Sequence, residues 1–219
     1  MADFAEELIS WWKVNGRSFP WRSEKDSYRI LIAEILLHRT RAESVLPVYR
    51  EFIIKYPSIE SLARAEQKEI ENILHPLGLF WRSVSLSLAA KQIIDELDGE
   101  IPRSADGLRA LPGIGSYIAS AVRCFAFGEP DVLLDTNIVR VLGRLYGERI
   151  TDGSRRSTRY LRLAECLLDK NFPREFNYAM IDLAASICRP TQPRCPECPV
   201  NVHCSYFYSE CQGKIPNNL

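Results

Sequence analysis

The sequence predicts an all-α fold, on three observations. Apolar residues recur at helical spacing along nearly the whole chain, glycines fall where those periodic segments stop, and no run alternates apolar with polar residues as a half-buried strand would. VLL at 132–134 is too short to count as a strand.

Residues 2–14 read as an amphipathic helix, and NGRSFPWR as the turn after it. YRILIAEILLH, residues 28–38, is apolar on almost every face, which places that helix in the middle of a bundle. Apolar spacing predicts further helices at 41–55, 66–75 and 81–97. Ser58 and Ser104 have the chemistry of N-caps for short helices, and Gly78, Gly99 and Gly128 sit where helices end. The remaining helices are predicted at 104–110, 116–126, 136–146, 155–169 and 174–187. There is neither an internal repeat nor a low-complexity linker, so the 219 residues make one large domain or two lobes with a sizeable core.

Composition excludes several classes. The longest apolar candidate for a membrane span, ILIAEILL, contains Glu34 and falls far short of roughly 18 residues. MADFAEELIS carries three acids and no basic segment, unlike a signal peptide. The expected location is therefore cytoplasmic, with no membrane partner, and seven cysteines in a reducing compartment point to metal or free thiols. Net charge is zero, which lends a nucleic-acid partner no support from bulk composition. Seven arginines do gather between residues 140 and 162 against Glu148 and Asp152, enough either to hold a phosphate backbone or simply to solvate a helix face.

Four of the cysteines lie close together in CRPTQPRCPECPVNVHC: Cys188, Cys195, Cys198 and Cys204, spaced C-x6-C-x2-C-x5-C. A zinc site is one reading, although zinc modules usually show two CxxC pairs or histidines. Four thiolates within one short loop suit a [4Fe–4S] cluster, one cysteine per iron corner. Cys124 and Cys166 stand in apolar helical contexts, as small core residues do, and Cys211 is spare.

The segment LPGIGSYIAS raises a second possibility of chemistry. A short helix ends at Ala110, a tight turn holds Gly113 and Gly115, and another helix starts near Ser116. Glycine there permits positive φ and close approach of the backbone, and the amides of 113–116 at a helix N-terminus favour an anion. A plain αα-hairpin explains the same turn.

LPGIG, an aspartate opening a helix twenty residues later in LLDTNIVRVLGRL, and then the cysteine array together resemble the helix–hairpin–helix DNA glycosylases of the endonuclease III type. The resemblance runs from FPWR at 19–22 to Cys204. It implies two α-helical lobes, a six-helix lobe at about 23–130 and a second at about 1–22 with 131–219, with double-stranded DNA across the groove between them. It also implies a [4Fe–4S] cluster, and a hairpin that holds a DNA phosphate through Leu111, Gly113, Ile114, Gly115 and Ser116, often with an alkali cation. The protein would be monomeric and associated with the nucleoid.

The same resemblance assigns roles to side chains. Asp135, by local chemistry a helix N-cap, becomes the catalytic carboxylate that stabilises positive charge on the sugar while the N-glycosidic bond breaks. Glu34, a carboxylate in an apolar helix, needs either a tie to Arg29 or His38 or a raised pKa, and in the second case it can donate a proton to the leaving base. Tyr117 stands where strand-cutting members carry the Schiff-base lysine; no lysine lies between Lys91 and Lys170, so a monofunctional glycosylase is expected. Taken alone Tyr117 reads as a core aromatic; the resemblance implies instead a place in the catalytic pocket, with its hydroxyl near the sugar or base.

His38 and Arg39 are expected to enter the DNA stack and meet the orphaned guanine, or else to complement the dipole of the helix they end. Phe80 and Trp81 read either as a second wedge or as buried core. Ala42 and Tyr178 are expected in the base pocket. Tyr117, FPWR, AEILLHRT and EFN…MIDLAA look closest to mismatch glycosylases acting on thymine or uracil opposite guanine, although Tyr178 departs from that pattern. Adenine glycosylases, which usually carry serine at 117 and a further C-terminal domain, are the runner-up. A non-catalytic iron–sulfur DNA-binding protein is the alternative of another class.

Overall fold

The computed structural model describes residues 2–78 and 80–212, and the side chains of all of these except 2, 211 and 212; Cys211 as a thiol thus lies outside the description. Among the described residues there are twelve α-helices and no strand. They fall into two compact units, Met1–Arg17 with Pro130–Leu219, and Ser18–Glu129, each with its own buried core.

The first unit opens with α1 (Ala2–Asn15). The second contains α2 (Pro20–Ser23), α3 (Ser27–Leu37), α4 (Ala42–Lys55), α5 (Ile59–Ala63), α6 (Gln67–Leu74), α7 (Trp81–Glu96), α8 (Ala105–Ala110) and α9 (Ser116–Phe127). The first then resumes with α10 (Thr136–Tyr146), α11 (Thr158–Leu167) and α12 (Pro173–Asp182).

Within Ser18–Glu129, α3 is the central element, packed by α4 and α9, and nearly every residue from Tyr28 to Leu36 is buried. Its all-round apolar character requires such a position, since burial of each Leu or Ile side chain contributes about 1.5–3 kcal/mol. Asp26 starts the helix by accepting from the Arg29 amide. Ser58 forms a reciprocal capping box with Ser61, and Ser104 accepts from the Gly107 amide. FPWR, expected as a turn, forms the short helix α2 because Pro20 is preset for a first helical position.

Two predicted helices are interrupted. The 155–169 segment is a 3₁₀ turn at Ser154–Arg156 followed by α11, because the Ser157 hydroxyl caps the Arg159 amide and restarts the helix there. Cys166 is exposed on α11 rather than buried; the inward face is formed by Tyr160, Ala164 and Leu167. Cys124 is buried as expected. The 174–187 segment is helical only to Asp182, then widens into a π turn over Leu183–Ile187 that the Cys188 amide closes onto the Leu183 carbonyl.

In the other unit α1 packs on α12, clasped at Asp182. That carboxylate is 1% exposed and accepts from the Trp12 indole at 3.0 Å, the Arg17 amide at 2.9 Å and Arg17 Nε at 2.6 Å. Removing the acceptor leaves an indole N–H and a guanidinium short of a partner. Asp182→Ala should lower the unfolding free energy by about 3 kcal/mol in a urea titration and red-shift the tryptophan emission as Trp12 loosens.

Candidate active site

Asp135 caps α10. Its Oδ1 accepts from the amides of Asn137 and Ile138 at 2.9 and 2.7 Å, and its Oδ2 from Asn137 Nδ2 at 2.9 Å. Both oxygens are therefore oriented, at the positive end of the helix dipole, on a residue that stays half-buried. The extended segment leading into the cap is held by a residue that sequence reading missed. Buried Asn177 of α12 accepts from the Leu133 amide at 3.3 Å and donates to the Asp131 carbonyl at 3.0 Å. No local pattern advertises such a bond across 44 residues.

Glu34 is 5% exposed on α3. Burial pushes its carboxyl up to about 7, against the opposing pull of the Arg22 charge. The ties to Arg29 and His38 offered by the sequence are not what it makes. Arg29 pairs with Glu24 at 3.3 Å, and the His38 ring lies edge-on to Trp81 at 6.0 Å. A carboxyl that keeps its proton near neutrality can act as an acid.

In the hairpin, the two glycines differ. Gly113 has φ +78, and a Cβ there would come within 2.6 Å of Ser85, so both backbone and packing demand glycine. Gly115 has an ordinary φ of −87 and a Cβ would meet nothing within 4 Å, so of the two only Gly113 uses the positive φ that glycine permits. Packing inside the chain does not explain Gly115. The Ile114 amide is used within the turn, on the Leu111 carbonyl, and the side chains of Leu111 and Ile114 are buried. Among the described residues the amides of Gly113, Gly115 and Ser116 have no partner, and all three residues are exposed. Tyr117 is half-buried against the core of its unit.

The turn after α3 is unusual. His38 leaves the helix with ψ 111, and Arg39, exposed, takes φ 62, a left-handed conformation rare for arginine. Burial, then Arg39 and Arg82, push the His38 imidazole below its ordinary value. The carbonyls that end the helix are met by the Arg82 guanidinium of α7, which donates to Leu36 at 3.0 Å and to His38. Phe80 and Trp81 are 63% and 40% exposed, not core. Ala42, the first residue of α4, packs half-buried on its unit's core, whereas Tyr178 is buried and stacked at 6.1 Å on Trp12.

The cysteine loop wraps on itself through Cys198 to Cys195 and Cys204 to Asn201 backbone bonds. None of Cys188, Cys195, Cys198 and Cys204 is in a disulfide. Burial pushes Cys198 up to about 11, and Cys188 and Cys204 lie near enough to add to that shift. Among the described residues no three His, Cys, Asp or Glu side chains are placed to hold a single metal ion. Two of the seven clustered arginines serve this loop. Arg140 donates to the carbonyls of Cys188 and Ala184, both at 2.9 Å. Arg144 donates to Cys188 Sγ at 3.4 Å and to the Arg189 and Pro190 carbonyls. Solvation of a helix face does not describe these two.

The chain belongs to the HhH-GPD superfamily of base excision DNA repair proteins, which it matches over residues 32–165. It is 39% identical to a thymine-DNA glycosylase of Aeropyrum pernix, across 93% of each chain. It is 35% identical to a thymine/uracil-DNA glycosylase of Methanothermobacter thermautotrophicus, again across 93% of each. Adenine DNA glycosylases are more distant relatives; that of Mus musculus is 31% identical over 97% of this chain and 43% of its own length. The solved structure of a thermostable thymine-DNA glycosylase superposes with a TM-score of 0.86 at 35% identity, covering 94% of this chain and 95% of that one. Among the described residues no helix is long and apolar enough to cross a membrane.

The Glu34 proton has a thermodynamic signature. Its folded value lies above the ordinary 4.5, so the stability it confers is complete below pH 4.5 and lost as pH rises through about 7. Comparing wild type with Glu34→Gln by chemical denaturation at pH 4 and pH 8 should show the variant gaining up to about 3 kcal/mol relative to wild type between them. A difference that does not change with pH would contradict the raised value.

Proposed function

We propose that this chain is a monofunctional DNA N-glycosylase that removes thymine or uracil mispaired with guanine, acting as a monomer on duplex DNA in the cytoplasm, at the nucleoid. The observation that carries the reading is Asp135, whose two oxygens are fixed by the first turn of α10 at the position the glycosylase resemblance makes catalytic. Relatives named for thymine or uracil, matched over nearly their whole length, support the choice of base.

The target nucleotide leaves the stack so that its glycosidic bond becomes reachable. As the C1′–N1 bond lengthens, its electron pair moves to the base and positive charge grows on the sugar, beside the Asp135 carboxylate. Water adds its oxygen to C1′ and gives up a proton, leaving an abasic site. Glu34, protonated near neutrality, donates a hydrogen bond or proton to the departing base. Tyr117 has no amine, so the sugar is not held as a Schiff base and the strand stays uncut. The amides of Gly113, Gly115 and Ser116 take a DNA phosphate, and the absence of a side chain at Gly115 leaves room for it.

Cys188, Cys195, Cys198 and Cys204 fit a [4Fe–4S] cluster. None of the four is in a disulfide, and Cys188 and Cys204 lie near enough to Cys198 to act on its charge. Bound, the cluster would cross-link the loop through iron–thiolate bonds. Arg140 and Arg144 tie that loop to α10, the helix that Asp135 caps.

A panel of T·G, U·G, A·G and A·8-oxoguanine duplexes, with and without alkali, tests base choice and strand cutting together. Release from T·G and U·G, with breaks only after alkali, is expected. Asp135→Asn, which keeps an N-capping side chain, should slow release about 10²–10³-fold, and undiminished release would refute the mechanism. Freshly purified protein should be brown with broad visible absorbance that Cys198→Ser abolishes; a colourless protein carrying zinc would refute the cluster.

A further inference from the structure

We propose that Arg82 is a positioning residue that sets which base the chain accepts opposite the one it removes, by holding the 38–40 turn that presents His38 and Arg39. The inference rests on the reading that this turn meets DNA.

Arg82 is the largest fully buried side chain of the protein, with 0% of its surface exposed. A guanidinium taken out of water is costly unless its donors are used, and an apolar side chain would fill the same space without that cost. Among the described residues it has no carboxylate partner. Its Nη1 and Nη2 donors go instead to one short stretch, the Leu36 carbonyl at 3.0 Å, the His38 carbonyl and Thr40 Oγ1 at 2.7 Å, while Nε is buried without a partner among the described residues. These acceptors bracket Arg39, whose left-handed φ of 62 is strained for an arginine and persists only where surrounding bonds over-determine it. The Thr40 amide, on the Leu37 carbonyl at 3.1 Å, closes the turn.

The effect on the two presented side chains follows. Arg39 is exposed, on a backbone braced on either side by the Arg82 bonds to His38 and Thr40. His38 rests edge-on against Trp81, with Nδ1 buried and unpartnered. Trp81 also lies 3.8 Å from where a Cβ of Gly113 would stand, so the first turn of α7 adjoins both the presenting turn and the hairpin. A guanidinium fixed in this way can discriminate guanine, with its O6 and N7 acceptors, from adenine, whose edge carries an amino donor in place of O6. A mobile one cannot.

The test measures binding to duplexes carrying a tetrahydrofuran abasic analogue opposite guanine or opposite adenine, which removes the chemical step from the comparison. Wild type should prefer guanine by at least about 5-fold, the lower end of one base-edge contact. Arg82→Met should bring that ratio close to one while binding to fully paired duplex is unchanged. Arg82→Lys should recover part of the preference, since an ammonium reaches only some of the three acceptors. Thr40→Val removes one acceptor and leaves Arg82 in place; it should reduce the ratio by a smaller factor, and it carries the test if Arg82→Met does not fold by circular dichroism. A folded Arg82→Met or Thr40→Val with the wild-type ratio overturns the inference alone. A wild type that binds both duplexes equally overturns the reading beneath it as well.

Discussion

Helix ends are the constraint on which this molecule turns. Each leaves amides or carbonyls with no partner inside the helix, and a chain built almost wholly of helices has many such ends to settle. Where they are settled, the residue is held: Asp135 on the amides of α10, Arg82 on the carbonyls that finish α3, Arg140 on the carbonyls around the π turn and Cys188. Where they are left open, as at Gly115, the backbone faces solvent with donors unspent. The candidate chemistry sits at these ends because that is where an all-α protein keeps its backbone polarity.

Burial supplies the second ingredient. Glu34 lies on the one helix that is apolar nearly all round, so its carboxyl inherits an environment chosen for packing and keeps a proton. Burial also pushes the His38 imidazole down, one turn further along, with two neighbouring guanidinium groups adding to the effect. Asp135, by contrast, sits at a helix N-terminus with both oxygens engaged.

Much of this was legible from sequence where the interaction is local. The caps at Ser58, Ser104 and Asp135 connect residues two or three apart, so a short pattern contains both partners. The α3 stripe and the hairpin glycines are equally local. What escaped has partners far along the chain: Arg82 reaches back 42 to 46 residues, Asn177 reaches 44, and Arg140 and Arg144 reach forward to Cys188 and beyond. An arginine that satisfies distant carbonyls looks, in one dimension, like any solvated arginine. The difference between Gly113 and Gly115 was hidden too, because φ depends on how the turn packs against Ser85.

The Asp182 clasp has a consequence for the order of events at the ribosome. Trp12 and Asp182 are 170 residues apart, and the α1 face of Phe4, Ala5, Leu8 and Ile9 belongs to a core whose buried members outside α1 come from Ile138 onwards. The Ser18–Glu129 unit is synthesised entirely within that interval and contains all it needs for its own core. At roughly 5–20 residues per second, α1 waits on the order of ten seconds or more with an apolar face uncovered while a complete neighbour folds downstream of it. Of the described helices, the earliest in sequence is thus among the last to find its place.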